Sequence, residues 1–117
     1  MAQKNAVLEI SFSFALNIIK YCELLEQQRK FVIANQLMKA GTSVGASIRE
    51  AQNAESVADF CHKIKIAGKE AEETEYWLLL CESSENYPNP GGLLSEIAGI
   101  KKILGKIIST TKKRISK

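Results

Sequence analysis

The region from Gln36 to Leu80 constrains the fold most strongly, because apolar residues recur at helical spacing on both sides of one short interruption near residues 53–55. Alternating steps of three and four residues place side chains in a single stripe along a helix. The stripe before the interruption comprises Phe31, Ala34, Met38, Gly41, Val44 or Gly45, Ile48 and Ala51, and the stripe after it comprises Val57, Phe60, Ile64, Ala67, Ala71, Thr74, Leu78 and Cys81. The region therefore predicts a hairpin of two long antiparallel helices.

Three glycines inside this hairpin need a physical reason, since a glycine within a helix costs about 1 kcal/mol relative to alanine. If the turn is centred near residue 54, antiparallel pairing places Gly41 opposite Gly68 and Gly45 opposite Ile64. Glycine would let the two backbones approach closely, so Gly41, Gly45 and Gly68 are the predicted close-packing residues. The alternative is that the segment GTSVG forms a loop that breaks the helix.

A further helix is predicted before the hairpin, from Lys4 to Gln27. One apolar stripe of this helix comprises Val7, Phe14, Ile18, Tyr21 and Leu25, a second comprises Leu8, Phe12, Ala15, Ile19 and Cys22, and Ile10, Leu16 and Leu24 fall outside both. This apolar surface exceeds what one face of a surface helix needs. Either the bundle wraps this helix closely or a second subunit covers the excess. Because Trp77 also lies off the main stripe of its own helix, we expect a homo-oligomer rather than a monomer.

The strongest helix-breaking segment, Asn86–Gly92, separates the hairpin from a last helix. Asn89 is predicted to cap that helix, with Pro90 at its first position and an end near Thr110. Short connections between four helices favour antiparallel neighbours. The prediction is a single all-α domain, residues 1–117: an antiparallel up-down-up-down four-helix bundle with a long central helical hairpin and a frayed basic tail at 111–117.

The N-terminal segment has no uninterrupted apolar core of the kind found in signal peptides, and no apolar run reaches the length of a membrane span. The three cysteines, Cys22, Cys61 and Cys81, are widely separated, which is typical of reduced core thiols. We therefore expect a cytoplasmic protein that does not engage a membrane.

The formal net charge of +3 is unevenly distributed. Seven basic residues and no acidic one lie between Lys101 and Lys117, which leaves nine basic against thirteen acidic residues in the rest of the chain. The candidate nucleic-acid-binding residues are Lys101, Lys102, Lys106, Lys112, Lys113, Arg114 and Lys117. Clustered cations give salt-dependent affinity for RNA or DNA, although cations near a helix C-terminus also complement the helix dipole.

The hairpin register places Arg49 near Asp59 and His62, with Lys63 close by, which predicts a polar cluster at one end of the hairpin. Structural ion pairs and ligand contact are both open interpretations of it. The carboxylates around Glu70 and Glu73 are interpreted as a solvated face, because a carboxylate-bridged metal site needs Glu-x-x-His motifs that the chain lacks. No metal, no cofactor and no catalytic residue is predicted.

The hairpin resembles the bacterial four-helix-bundle proteins related to those encoded in intervening sequences of large-subunit ribosomal RNA genes, also called S23-like ribosomal proteins. The matching residues are Gln36-Leu37, Gly41-Thr42-Ser43-Val44-Gly45-Ala46, Ile48, Glu50-Ala51, Asp59-Phe60, Lys63, Ala67, Lys69-Glu70-Ala71 and Glu73-Thr74-Glu75-Tyr76-Trp77. The resemblance implies a four-helix bundle that assembles as a ring-like homopentamer, and it implies no established activity or catalytic motif. Members have been suggested to bind RNA.

Together these observations predict a non-enzymatic oligomeric bundle that serves as an RNA- or DNA-binding accessory factor. The alternative is a protein-interaction scaffold with no nucleic-acid role. The residues characteristic of the family are interpreted as structural; they are Gly41, Gly45, Glu50, Glu70, Glu75 and Trp77.

Overall fold

The protein folds into four α-helices. The structure, a computed structural model, describes the backbone of residues 2–116 and the side chains of residues 6–115. The helices are α1 (Ala2–Gln27), α2 (Phe31–Ala51), α3 (Val57–Ser83) and α4 (Leu93–Ser116). No strand occurs in this part of the chain. The helices form an elongated body of 52 × 22 × 21 Å. The predicted all-α class with four helices is confirmed.

Each helix packs against the next one in the chain, and α1 also packs against α4, though less extensively. The two contacts at Gly41 and Gly45 show how α1 and α2 run against each other: Gly41 lies beside Ile18, whereas Gly45, one turn further on, lies beside Ser11, two turns further back. These contacts are consistent with the predicted antiparallel order.

The core lies between the four helices and follows the predicted stripes closely. All five residues of the first α1 stripe are buried, and so are the later members of the α3 stripe, from Ile64 to Cys81. The starts of the hairpin helices differ from the prediction: Phe31 and Val57 are exposed. Both lie in a first helical turn at an end of the bundle, where no neighbouring helix covers them.

The start of α3 carries a side-chain cap. Residues 52–56 connect α2 to α3, and the Ser56 hydroxyl accepts a hydrogen bond from the Asp59 backbone N–H at 3.0 Å. This N-cap satisfies one of the unpaired N–H groups of the first turn.

The start of α4 differs from the prediction. The Asn89 side chain accepts a hydrogen bond from the Gly91 N–H at 2.7 Å, which makes a turn rather than a helix cap. Gly91 has φ of +60°, a left-handed conformation that favours glycine and ends this turn. The first helical carbonyl is that of Gly92, which accepts from the Glu96 N–H.

The predicted end of α4 near Thr110 is also wrong, because the helix continues to Ser116. Thr111 is buried and its hydroxyl donates to the Ile107 carbonyl at 2.6 Å. This packing holds the helix at residue 111. Fraying of the segment 111–117 stays a prediction, and Lys117 lies outside the described residues.

The GTSVG segment is part of a continuous α2, so the loop alternative is wrong. The helix partner predicted for its glycines is wrong as well. A Cβ at Gly41 would lie 2.9 Å from two side-chain carbons of Ile18, and one at Gly45 would lie 3.4 Å from the Ser11 carbonyl oxygen, both in α1. Gly68 has no atom within 4 Å of a Cβ position. The glycines of α2 therefore face α1 and do not pair with α3.

Candidate nucleic-acid interface

Three of the predicted cations form a row on the outer face of α4. Lys102, Lys106 and Lys113 are exposed, and steps of four and seven residues place them on one side of the helix. The core residues of α4, such as Ile100 and Leu104, lie on the opposite side. Within the described part of the chain none of the three lysines pairs with an acidic side chain, so this row presents uncompensated positive charge to solvent.

The α4 surface on either side of Lys102 is sterically open. Gly99 and Gly105 are exposed, and nothing lies within 4 Å of the position that a Cβ would take at either glycine. A phosphate backbone can approach the helix closely beside Lys102, because neither glycine carries a side chain.

Lys101 is separate from this row, although the sequence groups it with the others. Its ammonium lies 2.8 Å from the carboxylates of both Glu72 and Glu75 on α3. Hydrogen bonds to these carboxylates raise the pKa of Lys101 above its ordinary value. This cation therefore ties α4 to α3 and is compensated by two acidic groups.

The remaining predicted cations lie at the end of α4. Lys112 and Arg114 are exposed, and Lys117 lies outside the described residues. Arg114 is one of the residues that line an open cavity of about 610 Å³ at this end of the bundle. The other helices also contribute to the lining of this cavity, through Val7 at the start of α1, Ala51 at the end of α2 and Phe60 in α3. The sequence offers no signal for this cavity.

The predicted polar cluster forms only in part. The carboxylate of Asp59 accepts a hydrogen bond from Lys63 at 2.7 Å and one from the Glu55 backbone N–H at 3.0 Å. These two bonds, the one from Lys63 first, lower the pKa of Asp59. Among the described residues, Arg49 forms no ion pair or hydrogen bond with Asp59 or His62. The cluster is thus a local pair within one helix turn.

A second polar site joins α2 to α3 and was not found from the sequence. The Ser47 hydroxyl donates a hydrogen bond of 2.5 Å to the Glu70 carboxylate, and burial raises the pKa of Glu70. One turn on, the Trp77 indole N–H donates to Glu73 at 3.1 Å. The sequence could have indicated the bond between Ser47 and Glu70 only if the rotation of α2 about its axis relative to α3 were known.

Burial lowers the reactivity of two cysteine thiols and one tyrosine hydroxyl in the core. Burial raises the pKa of the Cys22 thiol to about 12 and also raises the pKa of the Cys81 thiol. The Tyr21 hydroxyl, whose pKa burial also raises, donates to the Pro88 carbonyl at 2.5 Å. Such thiols are almost wholly protonated near neutral pH and are poor nucleophiles. Within residues 2–116 no group of histidine, cysteine and carboxylate side chains is placed to hold a metal ion.

Several large apolar side chains remain on the surface, four of them on α1 and four on α3. Phe12 is 57% exposed and Leu16 is 46% exposed, and Tyr76 of α3 is 57% exposed with its ring edge against Trp77. The excess apolar surface that the sequence predicts for α1 is therefore present. No helix in the described part of the chain is long and apolar enough to cross a membrane.

Comparisons with known proteins agree with this architecture. The sequence model of the 23S rRNA-intervening sequence protein family matches residues 3–106. A crystal structure of a protein with unknown function from the S23 ribosomal protein family of Bacteroides thetaiotaomicron is 42% identical, with a TM-score of 0.82. The match covers 88% of this chain and 98% of that one. Comparison with curated proteins finds no match. The chain belongs to the 23S rRNA-intervening sequence protein family.

Proposed function

We propose that the protein is a non-enzymatic, oligomeric accessory factor of the bacterial cytoplasm that binds RNA or DNA through the outer face of α4. One observation carries the proposal: Lys102, Lys106 and Lys113 form an exposed row without acidic partners among the described residues. The row spans about 16 Å along the helix. Cations in such a row neutralise backbone phosphates and release their counterions, which gives affinity that falls with salt.

The antiparallel up-down-up-down arrangement is part of this proposal. It is supported by the reversed order of the α1–α2 contacts, in which Gly41 meets Ile18 and Gly45 meets Ser11. It is also supported by the end cavity, which gathers residues from the start of α1 and the end of α4. In this arrangement the lysine row lies on the side of α4 that faces away from the other three helices.

Oligomerisation would increase the avidity of a single weak site. The exposed apolar residues of α1, including Phe12 and Leu16, support a contact between subunits. The resemblance to S23-like proteins implies a ring-like homopentamer. Several lysine rows in one assembly would raise the effective affinity for a long polyanion without a new contact in any subunit.

The test compares two triple variants with the same change in net charge. The first replaces Lys102, Lys106 and Lys113 by Gln, and the control replaces Lys20, Lys39 and Lys69, which are exposed on the other helices. Binding to structured RNA, single-stranded RNA and duplex DNA is measured over a salt series, together with the mass in solution. We expect the first variant to lose about 10- to 100-fold in affinity and the salt slope to fall by about three.

Two results would contradict the proposal. Equal losses in both triple variants would mean that net charge, not the α4 row, determines binding. No binding by the folded native protein at low salt would remove the nucleic-acid role altogether.

A protein-interaction scaffold is the second candidate function, and the exposed apolar surface of α1 favours it. Deletion of residues 112–117 separates the two functions, because nucleic-acid affinity should fall while scaffold binding need not. Phe12→Asp is the complementary variant: it should abolish partner binding, whereas nucleic-acid binding should keep the salt dependence that Lys102, Lys106 and Lys113 give it and lose only the avidity of the oligomer.

A further inference from the structure

None of the residues that line the cavity at the end of the bundle belongs to the proposed lysine row. It has a volume of about 610 Å³, and a second cavity of about 330 Å³ shares Ile107 and Thr111 with it. The second cavity is lined by α4 residues alone, Lys106 of the row among them, and the two cavities are together called the groove. Sites for small molecules in proteins have volumes of about 300 to 1,000 Å³, so the groove is large enough for a ligand.

The exposed lining of the larger cavity is mainly apolar. Val7, Phe60, Ile64 and Ile107 line it, and two of them, Phe60 and Ile107, are only half-buried. A ligand with a hydrocarbon body would remove this apolar surface from water, which is favourable in proportion to the area covered.

The lining of the groove includes charged side chains. Arg114 lines the larger cavity and Lys106 lines the smaller one. Arg114 forms no ion pair with any described residue. The acidic side chain of the lining is Glu55, on the connection between α2 and α3. The two cavities are therefore lined by two cations and one carboxylate, an excess of positive charge beside apolar side chains.

We propose that this groove binds a free medium-chain carboxylate, with its hydrocarbon chain between Val7 and Ile107 and its carboxylate on the Arg114 guanidinium. Arginine suits this role because its planar group donates two parallel hydrogen bonds to a carboxylate. The distance along α4 from Ile107 to Arg114 is about 10 Å, which matches a chain of medium length. This inference does not depend on nucleic-acid binding.

The experiment is calorimetric titration of the full chain with decanoate and, separately, with decanol. Arg114→Gln should weaken decanoate binding about tenfold, the loss expected for one charge-assisted hydrogen-bonded pair, and leave decanol binding unchanged. Lys113→Gln is the matched control, because it makes the same charge change one residue away, and it should alter decanoate binding by less than about twofold.

A second pair of variants tests the apolar wall. Val57→Trp places a large ring into the groove from an already exposed position, and it should weaken both probes about tenfold or more. Val32→Trp is its control, since Val32 is 81% exposed and does not line the groove. Circular dichroism verifies that all four variants fold.

Three results would overturn the inference. They are no decanoate binding by the native protein, equal weakening by Arg114→Gln and Lys113→Gln, and decanoate binding that survives Val57→Trp. The groove would instead be a contact between copies of the chain if the native protein is an oligomer that does not bind decanoate and Val57→Trp dissociates that oligomer. In that case the ligand proposal is wrong.

Discussion

The two contacts that α1 makes, with α2 and with α4, differ in how closely the helices approach. At the α1–α2 contact, Gly41 leaves no room for even one added carbon, because Ile18 fills the space. The α1–α4 contact is less extensive, and at its end the packing leaves a cavity lined by Val7 of α1 and by Ile107 and Thr111 of α4. Part of the apolar sequence of this bundle is thus used for close packing, and part is left available to a partner or ligand.

Gly41→Leu should have the largest effect on stability. The new Cβ would lie 2.9 Å from Ile18, which is fully buried and β-branched and so cannot move aside easily. We expect a loss of about 3 kcal/mol in the free energy of unfolding by overpacking. Urea unfolding at a fixed protein concentration, followed by circular dichroism, measures it.

Gly68→Leu is the matched control, because no atom lies within 4 Å of the Cβ position at Gly68. It should leave stability unchanged or raise it by up to about 1 kcal/mol, since leucine is the better helix former. If Gly41→Leu unfolds at the same urea concentration as the native protein, the close α1–α2 approach does not exist in solution.

Ile107→Phe tests the open contact with the same kind of enlargement. The ring has room to extend into the groove, so we expect a gain of about 1 kcal/mol from added apolar burial. Ile100→Phe is the comparison within the same helix, since Ile100 is fully enclosed and should lose about 2 kcal/mol. Equal losses in the two variants in thermal melts would show that the groove is closed in solution.

Lys101→Met should have a smaller effect, at the α3–α4 contact. It removes an ammonium that bridges Glu72 and Glu75, but the Glu72 side chain is 66% exposed, so solvent screens much of the attraction. We expect a loss of about 0.5 kcal/mol, whereas Lys102→Met, one residue away on the solvent side, should change stability by less than the error of measurement.

The pH dependence of that loss has a defined sign. Folding raises the pKa of Lys101 above 10.5, so its contribution is fully present at neutral pH and disappears as the pH rises through the folded-state pKa. The native protein and Lys101→Met should therefore become equally stable in strongly alkaline buffer. A difference that grows with pH would mean that Lys101 acts through its hydrocarbon stem.

The helices could be predicted from the sequence because their periodicity is set within each segment. The start and end of α2 and α3 follow to within about two residues. What could not be predicted depends on how each helix is rotated about its axis relative to its neighbours. Gly41 looks able to face either adjoining helix, and only the packed bundle shows that it meets Ile18.

The same limitation applies to the candidate site. A run of cations marks the C-terminal part of the chain, yet the run does not distinguish Lys101, which is paired with α3, from Lys102, which faces solvent. The groove is harder still to predict, because it results from residues that are far apart in the chain, such as Val7 and Thr111, and from a space that no residue fills.

Glu70→Gln should have the smallest effect, at the α2–α3 contact, and its sign is opposite to that of Lys101→Met. Burial raises the pKa of Glu70, so the folded protein binds this proton more tightly than the unfolded chain does. The ionised carboxylate therefore destabilises the folded state once the pH exceeds the pKa of Glu70 in the unfolded chain.

Gln keeps an oxygen that can accept the Ser47 hydrogen bond and carries no charge. We expect it to stabilise the protein at pH 7 by a few tenths of a kcal/mol, reduced by solvent screening, and the gain to vanish below about pH 4. Urea unfolding of both proteins from pH 3 to pH 8 measures this difference, and Glu73→Gln, which is exposed, is the control. A gain that persists at pH 3 would show that the effect comes from side-chain packing and not from the buried charge.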